Sequence, residues 1–579
     1  MYGLAGVTAG DASPPGGSRQ STAPICNEQV QTMDVTRMDS GAPTQVVARV
    51  KEGATADTQM PTAGGPSAQR PPRTRRARLL PALAGVLAAA FGLGIGELWA
   101  GIFNGSGPVV VVGDRVVDGV PGSVKTFAID TFGKNDKNAL VVGILVIMGI
   151  YAAFAGVRAA KRFSDGIVAV AAFAVIGGYA AISGRSPKAA DIVPMAVSAL
   201  AVIAALWVLL GRPPVRKATG VERRLGMDRR RFLVLGAGTA GAAAVTGIVG
   251  RNLQGGAKAV AQRKFTALPA ATEKLPAVAA GTTADVAGMT PYVTPNDAFY
   301  RIDTALVIPR VEVSNWKMTI TGQVDKPLTF TYADLLKRPL VEHDCTLMCV
   351  SNEIGGDLVG NARWLGVRLA DILKEAGVQK GADQVFASSV DGFTAGFPVS
   401  LAMDGREALI AIGMNGEPLP FRHGFPARLV VPGIYGYVSA VKWLSDIRLT
   451  TFEESQGYWI PRGWSALGPI KTGSRIDVPG RGRVVAGNTA IAGVAWAQHT
   501  GISKVEVQVD GTPWQTAELA VDGGVDTWRQ WKLAWNATAG DHRIRVRATD
   551  ANGKVQTEER ADVAPDGATG WHEIGVSVS

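Results

Sequence analysis

The chain has 579 residues, 47% hydrophobic and only 19% charged, too apolar for a purely soluble protein and long enough for three or four units. Its formal net charge is +10, but the basic residues cluster beside apolar runs, so the excess speaks of membrane topology and no nucleic-acid partner is expected. Three cysteines exclude a disulfide-stapled scaffold.

Residues 1–72 are rich in Ala, Gly, Thr, Ser and Pro without periodicity, and are expected to be disordered. Five apolar runs follow: Leu79–Phe103, Ala139–Val157, Ile167–Ile182, Ile192–Leu210 and Phe232–Val249. Most approach or exceed the ~20 residues a helix needs to cross about 30 Å of hydrocarbon. They define a membrane domain over residues 73–250 with about five helices. The basic segments "RPPRTRRAR", "RAAKRF" and "GRPPVRKATGVERRLGMDRRR" precede the first run, join the second to the third and join the fourth to the fifth. All three fall on the cytoplasmic side if five helices cross, which leaves the C-terminal half extracytoplasmic.

The fifth run opens with Arg229, Arg230, Phe232 and Leu233, a pattern that resembles a twin-arginine export signal. Gly236, Gly238 and Gly241 match G-x-G-x-x-G, but arginines precede them where a dinucleotide site needs a strand, so the match is discounted. The first of the five histidines is His343, so paired-histidine haem ligation within the membrane runs is not available. Glu97 is the clear acid within a run, either functional or reaching the interface.

Residues 251–290 read as a linker or an extended arm. From Pro291, short β-type runs such as "WKMTITGQV" and "VKWLSDIRL" alternate with helical patterns such as "TYADLLKR" and "RLADILKEAG", which predicts an α+β domain over 291–475. From 476 to 579 the runs "TAIAGVAWA", "KVEVQVDG", "QWKLAWNA", "HRIRVRATD" and "HEIGVSVS" alternate apolar and polar, the signature of an antiparallel sandwich. "HDCTLMCVSNEIGG" places Cys345 and Cys349 four apart. By themselves they are open to three readings: a disulfide, a metal ligand with a bystander, or two core residues.

Three stretches over about residues 290–579 carry a resemblance: "TLMCVSNEIGG" with "ARWLGVRLADIL", "MNGEPLPFRHGFPARLVVPGIYGYVSAVKWL", and the terminal "GWHEIGVSV". Together they resemble the sulfite oxidase family of molybdenum-cofactor enzymes. The resemblance implies a multidomain chain: all-α membrane helices, an α+β molybdopterin domain, and an all-β immunoglobulin-like domain that forms a homodimer. It implies molybdenum held by one pterin dithiolene and one protein thiolate, Cys349, with Cys345 a bystander. A soft thiolate suits that metal.

The cofactor-binding positions so implied are Asn296, Tyr300, Arg301, Cys349, Asp391, His423, Arg428, Gly433, Gly436 and Lys442. The catalytic ones are Cys349, Arg301, Arg462 and Trp464. Glu353 and Ile354 stand where the sulfite-oxidising members carry an arginine pair, and Trp464 stands nearest their tyrosine. The substrate implied is a small sulfite-like oxyanion or a sulfoxide. No haem-attachment, flavin or iron–sulfur pattern is present, so none of these groups is expected. A separate electron partner is expected instead, a cytochrome or a quinone-linked protein. A non-catalytic sensor or scaffold that keeps the fold is the alternative, and a transporter with an accessory domain a third.

Overall fold

The computed structural model describes residues 76–103, 105–120, 131–132, 136–184, 187, 189–211, 229–254, 256–480 and 483–579. The stretch expected to be disordered, the third cysteine (Cys26) and most of the two longer basic flanks lie outside them.

The N-terminal helical region, called the membrane half for its candidate spans, contains α1 (Arg76–Ile102), α2 (Pro108–Gly119), α3 (Asp136–Lys161), α4 (Phe163–Ser183), α5 (Ile192–Leu210) and α6 (Arg229–Gln254). All but α2 are long and apolar enough to cross a membrane. Their outward faces carry bare aliphatic side chains, such as Ile147 at 69% and Val175 at 72% exposure, which suits contact with lipid tails. Helix α1 is central and packs against α3, α5 and α6. At the α1–α3 crossing a Cβ on Gly85 would collide with the Ala152 carbonyl, and one on Gly156 with the Pro81 carbonyl, so glycine sets the close approach.

Glu97 is buried, and its Oε1 accepts from Val109 N at 3.4 Å, facing the first turn of α2. A carboxylate there offsets unpaired amides and the positive end of the helix dipole. That gives Glu97 a structural role at the base of α2. Gly236, Gly238 and Gly241 lie inside α6, not in the strand-to-helix turn that a dinucleotide site needs. The arm expected over 251–290 differs in part: α6 runs on to Gln254 and α7 (Ala257–Phe265) follows before the chain becomes extended.

The α+β domain contains β1 (Lys317–Gly322), β2 (Leu328–Thr331), α8 (Tyr332–Leu336), β3 (Val341–Met348), β4 (Val359–Arg368), α9 (Leu369–Ala376), β5 (Gln384–Ser389), β6 (Thr394–Pro398), α10 (Val399–Met403), β7 (Leu409–Met414), β8 (Glu417–Pro418), β9 (Arg428–Val430), α11 (Gly436–Ser439) and β10 (Leu444–Thr450). Thr331 and Asp334 form a reciprocal capping box that starts α8. One sheet runs β2-β1-β10-β5-β6, with β1 and β10 parallel. The other runs β3-β4-β7-β8, with β9 also on β7. This second sheet positions the site, because β3 ends at the cysteine loop and β9 begins with Arg428.

The sandwich contains β11 (Gly473–Val478), β12 (Arg483–Val484), β13 (Gly487–Trp496), β14 (Ile502–Val509), β15 (Gln515–Thr516), β16 (Glu518–Leu519), β17 (Arg529–Ala537), β18 (Gly540–Asp550) and β19 (His572–Val578). Its sheets are β11-β13-β17-β16 and β12-β19-β18-β14-β15. Ile491, Val505, Val507, Trp531, Ile544 and Val546 close the core between them. The loop before β17 stitches the sandwich to β3. Thr346 N donates to Asp526 O at 3.0 Å, Trp528 N to Thr346 Oγ1 at 2.8 Å, and Trp528 Nε1 to Tyr292 O at 2.9 Å.

Candidate functional site

Cys349 stands just past the end of β3 and is buried, as is Cys345 within that strand; both are free thiols. The disulfide reading is thereby set aside. The loop after Cys349 is tied at both ends: Cys349 N donates to Leu358 O at 3.0 Å, and Leu358 N to Asn352 Oδ1 at 2.8 Å. Burial raises the Cys349 thiol, opposed by hydrogen bonds from Ser351 and by the charge of Lys442. A metal bound to the sulfur would displace that proton outright.

A cationic cluster surrounds this end of the sheet. Arg428 is buried with its guanidinium 5.0 Å above the Trp364 ring, and it donates to backbone carbonyls, from Nη1 to His423 O and from Nε to Leu429 O. Burial pulls its pKa down to about 10. Lys442 is buried too, and burial pulls it down to about 8, although Nζ donates to Asp303 Oδ2 at 2.6 Å. Arg301 binds Asp303 through two nitrogens, at 2.7 and 3.1 Å. Lys137, at the start of α3, reaches Asp303 Oδ1 at 2.9 Å. Burial alone would raise the Asp303 carboxyl, but Lys442, Lys137 and Arg301 hold it well below the usual range. Arg422 adds another cation, and its Nε is buried without a hydrogen-bond partner.

Arg301, Lys442 and Lys137 thus gather on one buried carboxylate, Asp303, while Arg422 and Arg428 stand with Lys442 around His423. This surplus, with an orphaned guanidinium nitrogen, fits a ligand that ends in phosphate. Among the described residues no three of His, Cys, Asp and Glu converge on a metal position. A metal at Cys349 would therefore take most of its ligands from its cofactor. The residues fit a molybdenum–pterin group.

The other positions divide. Tyr300 stacks on Phe299 at 5.2 Å and lies near Cys349 and Arg428; burial, first, and the neighbouring thiols hold its phenol far above its usual pKa. Asn296 spends its amide within the protein, on Glu417, Met414 and Asn415, while its carbonyl takes His423 Nε2 at 2.8 Å. Its place is behind His423, which it orients. Gly436 begins α11, close to the Met348 carbonyl. Gly433 is held at φ +82°, but a Cβ there would meet Arg406 Nη1 at 3.1 Å and the His499 Cβ at 3.2 Å, so its close neighbours are protein. Asp391 accepts from Thr304 Oγ1 at 3.4 Å and lines a cleft with Ser106, Asp114 and Asp191 of the membrane half.

Trp464 packs on Tyr437 of α11 at 5.8 Å and on Trp459 at 6.1 Å. Arg462 lies over the Tyr458 ring at 3.7 Å. The loop that holds them is fastened beside α11 by Tyr435 N to Gly468 O at 2.7 Å. Ile354 turns toward Gly570 of the sandwich and Gly355 lies against His572, so this part of the cysteine loop packs on the C-terminal domain. Sequence reasoning missed Arg422, Asp303 and Lys137. Arg422 was within reach, since it stands beside His423 in the stretch already singled out.

His423 supplies a pH prediction. Burial lowers its pKa from 6.5 to about 3, although its bond to the Asn296 carbonyl favours the charged form. The unfolded chain takes up this proton near pH 6.5 and the cofactor-free fold only near 3, so the stability present above 6.5 is lost as pH falls through that window. At about 1.4 kcal/mol per pKa unit, the loss comes to about 4–5 kcal/mol. In the cofactor-free protein, His423→Gln keeps a donor for Asn296 and should flatten the fall of the unfolding temperature between about pH 7 and pH 4. Parallel profiles for the two proteins would refute it.

Residues 305–459 match the family described as oxidoreductase molybdopterin binding domain, and residues 474–546 match the bacterial Ig domain. Human mitochondrial sulfite oxidase is 30% identical over 348 residues, 50% of this chain and 62% of that protein, so the chain spans less than two thirds of that relative. An uncharacterized oxidoreductase of Bacillus subtilis (strain 168), YuiH, is 34% identical over 157 residues, 27% of this chain and 76% of that protein. Sulfite oxidase of Arabidopsis thaliana is 31% identical over 349 residues, 49% of this chain and 88% of that protein. With most of a plant sulfite oxidase matched at that identity, and a molybdopterin-binding domain spanning the buried thiol and its cationic surroundings, the chain belongs to the sulfite oxidase family of molybdopterin-dependent oxidoreductases.

Proposed function

We propose that the protein is a membrane-anchored molybdenum oxidoreductase that performs two-electron oxo transfer on a small substrate, a sulfite-like oxyanion or a sulfoxide, on the extracytoplasmic side. The observation that carries this reading is the buried Cys349 thiol beside a cationic cluster with a single buried carboxylate. When bound, molybdenum supplies the oxo-transfer chemistry. Cys349 would be its one protein ligand. Arg428, Arg422, Lys442 and His423 would hold the pterin and its phosphate, with Asp303 keeping Lys442 protonated and in place. Tyr300, kept neutral by burial, would offer a hydroxyl donor near the sulfur. Arg462 and Trp464 would line the mouth that admits substrate.

Export is supported by Arg229 and Arg230 at the start of α6, and by the five candidate spans, an odd number, among the described residues. The α1–α2 and α4–α5 connections meet each other, and α2 meets the C-terminal half: Ser106 N donates to Asp191 Oδ1 at 2.9 Å, and Asp118 of α2 accepts from Tyr458. Loops on one end of the bundle therefore share a side with the catalytic half. Electrons would pass to or from a separate cytochrome or quinone-linked protein, and the sandwich would pair two copies.

Full-length protein purified in detergent should carry about one molybdenum and one pterin per chain, and should turn over sulfite or a sulfoxide with a redox dye. Metal-free and pterin-free protein from cells that load other molybdenum enzymes would sink the reading in favour of a scaffold.

A further inference from the structure

Helix α2 was not needed to anchor anything, yet it reaches the mouth of the catalytic half. Near its C-terminal end, Asp118 Oδ1 accepts from the Tyr458 hydroxyl at 2.8 Å. The same oxygen lies 3.9 Å from Arg462 Nη2, and the Asp118 side chain is only 9% exposed. Arg462 lies flat on the Tyr458 ring at 3.7 Å and donates from Nη1 to the Tyr458 carbonyl at 2.6 Å. Tyr458, Arg462 and Asp118 thus form one stacked unit, two residues before Trp464. Trp464 in turn rests on Tyr437 of α11, and the neighbouring Gly436 abuts the Met348 carbonyl, next to Cys349. A largely buried carboxylate beside a guanidinium lowers the positive potential that the guanidinium projects.

We propose that Asp118 is a positioning residue that sets the specificity of the mouth: it fixes Tyr458 beneath Arg462 and offsets the Arg462 charge. The membrane half thereby weakens the grip of the catalytic half on dianions and favours acceptors of little charge, the sulfoxide side of the substrate range. This rests on the reading of Arg462 and Trp464 as the mouth of the molybdenum site. Lys137, at the start of α3, reaches Asp303 beside Lys442. Helix α2 and the first turn of α3 therefore touch the mouth and the cofactor cradle respectively.

The test uses full-length protein in lipid nanodiscs, titrated calorimetrically with inorganic sulfate. Asp118→Asn keeps an acceptor for Tyr458 and removes the charge. It should bind sulfate roughly three- to ten-fold more tightly than the parent. Asp118→Ser, smaller and also uncharged, should move in the same direction and serves if the first variant fails to accumulate. In an Arg462→Gln background the same change should have no effect, which places the coupling on that pair. The ratio of kcat/KM for sulfite over dimethyl sulfoxide should rise in Asp118→Asn through KM, a split that general loosening would not give. Equal sulfate affinities, no binding by either protein, or the same gain without Arg462 would overturn the proposal. Molybdenum content, measured on every sample, reports separately on the enzymatic reading, because sulfate binding needs no turnover.

Discussion

Cys349→Ser is expected to abolish turnover and to leave the protein with little molybdenum. The thiolate would be the one protein ligand to the metal, and a hydroxyl at the same position is a harder and far less acidic donor. Loss of a supporting outer partner typically costs a metal site roughly 10–100-fold; loss of the ligand itself should exceed that. Serine is close to isosteric, and the loop ties at Leu358 and Asn352 use backbone and amide atoms that the change does not touch. A hydroxyl at 349 can keep the hydrogen bonds that the sulfur receives from Ser351, so the fold should survive and thermal unfolding of the metal-free variant should lie close to that of metal-free parent. Cys345→Ser is the control. Its sulfur is fully buried in β3, so a hydroxyl there should cost about 1–3 kcal/mol of stability while molybdenum is retained. Elemental analysis and dye-linked turnover on both variants decide the matter. A Cys349→Ser protein with normal metal and normal rates would remove the basis of the proposed chemistry.

Asp303→Asn is expected to be the most damaging single change to the fold outside the hydrophobic core. The Asp303 side chain is 4% exposed and is shared by Arg301, Lys442 and Lys137. An amide accepts a hydrogen bond but offers no charge. Three cations would then face one another around a neutral group, with Arg428 and Arg422 close by. Breaking a buried pair by removing one partner costs about 3–5 kcal/mol. Part of that loss should be recovered by the phosphate of a bound cofactor, so the variant should be less impaired with cofactor than without it. Thermal unfolding of both forms in detergent measures the difference. An unfolding temperature unchanged in the cofactor-free form would refute the account. Lys442 should respond as well: burial already pulls it toward neutrality, and without Asp303 its ammonium would be less favoured still.

The large-scale organisation was legible in the sequence for plain physical reasons. Hydrocarbon selects long apolar helices, so the five runs stand out, and all the spanning helices but α5 are longer than their runs by a few residues because their polar end turns carry little hydropathy signal. The period-two runs near the C-terminus could be read as a sandwich because alternation survives in a short strand. Helix α2 was missed: "PVVVVGDRVVDG" opens on a β-branched run and is too short to span. The site was legible only where chemistry was local. Cys349, His423 and Arg428 lie in distinctive stretches. Lys137 meets Asp303 across 166 residues, and Asp118 meets Tyr458 across 340; no spacing rule reaches that far. Gly433 illustrates the converse. Resemblance alone assigned this glycine to the cofactor, and its left-handed φ with the closeness of Arg406 and His499 adds a demand for glycine that no sequence pattern shows.

The clasp between Trp528 and Thr346 has a consequence for biogenesis. β3 leaves the ribosome about 180 residues before the Trp528 backbone amide that fastens it, since the Trp528–Thr346 contact spans 182 positions. During synthesis the cysteine strand is therefore made long before its fastening exists. A metal centre held beside β3 would then be fastened by this clasp only after translation has nearly finished. A chain truncated before that tryptophan should leave the ribosome able to meet the cofactor, yet unable to keep it.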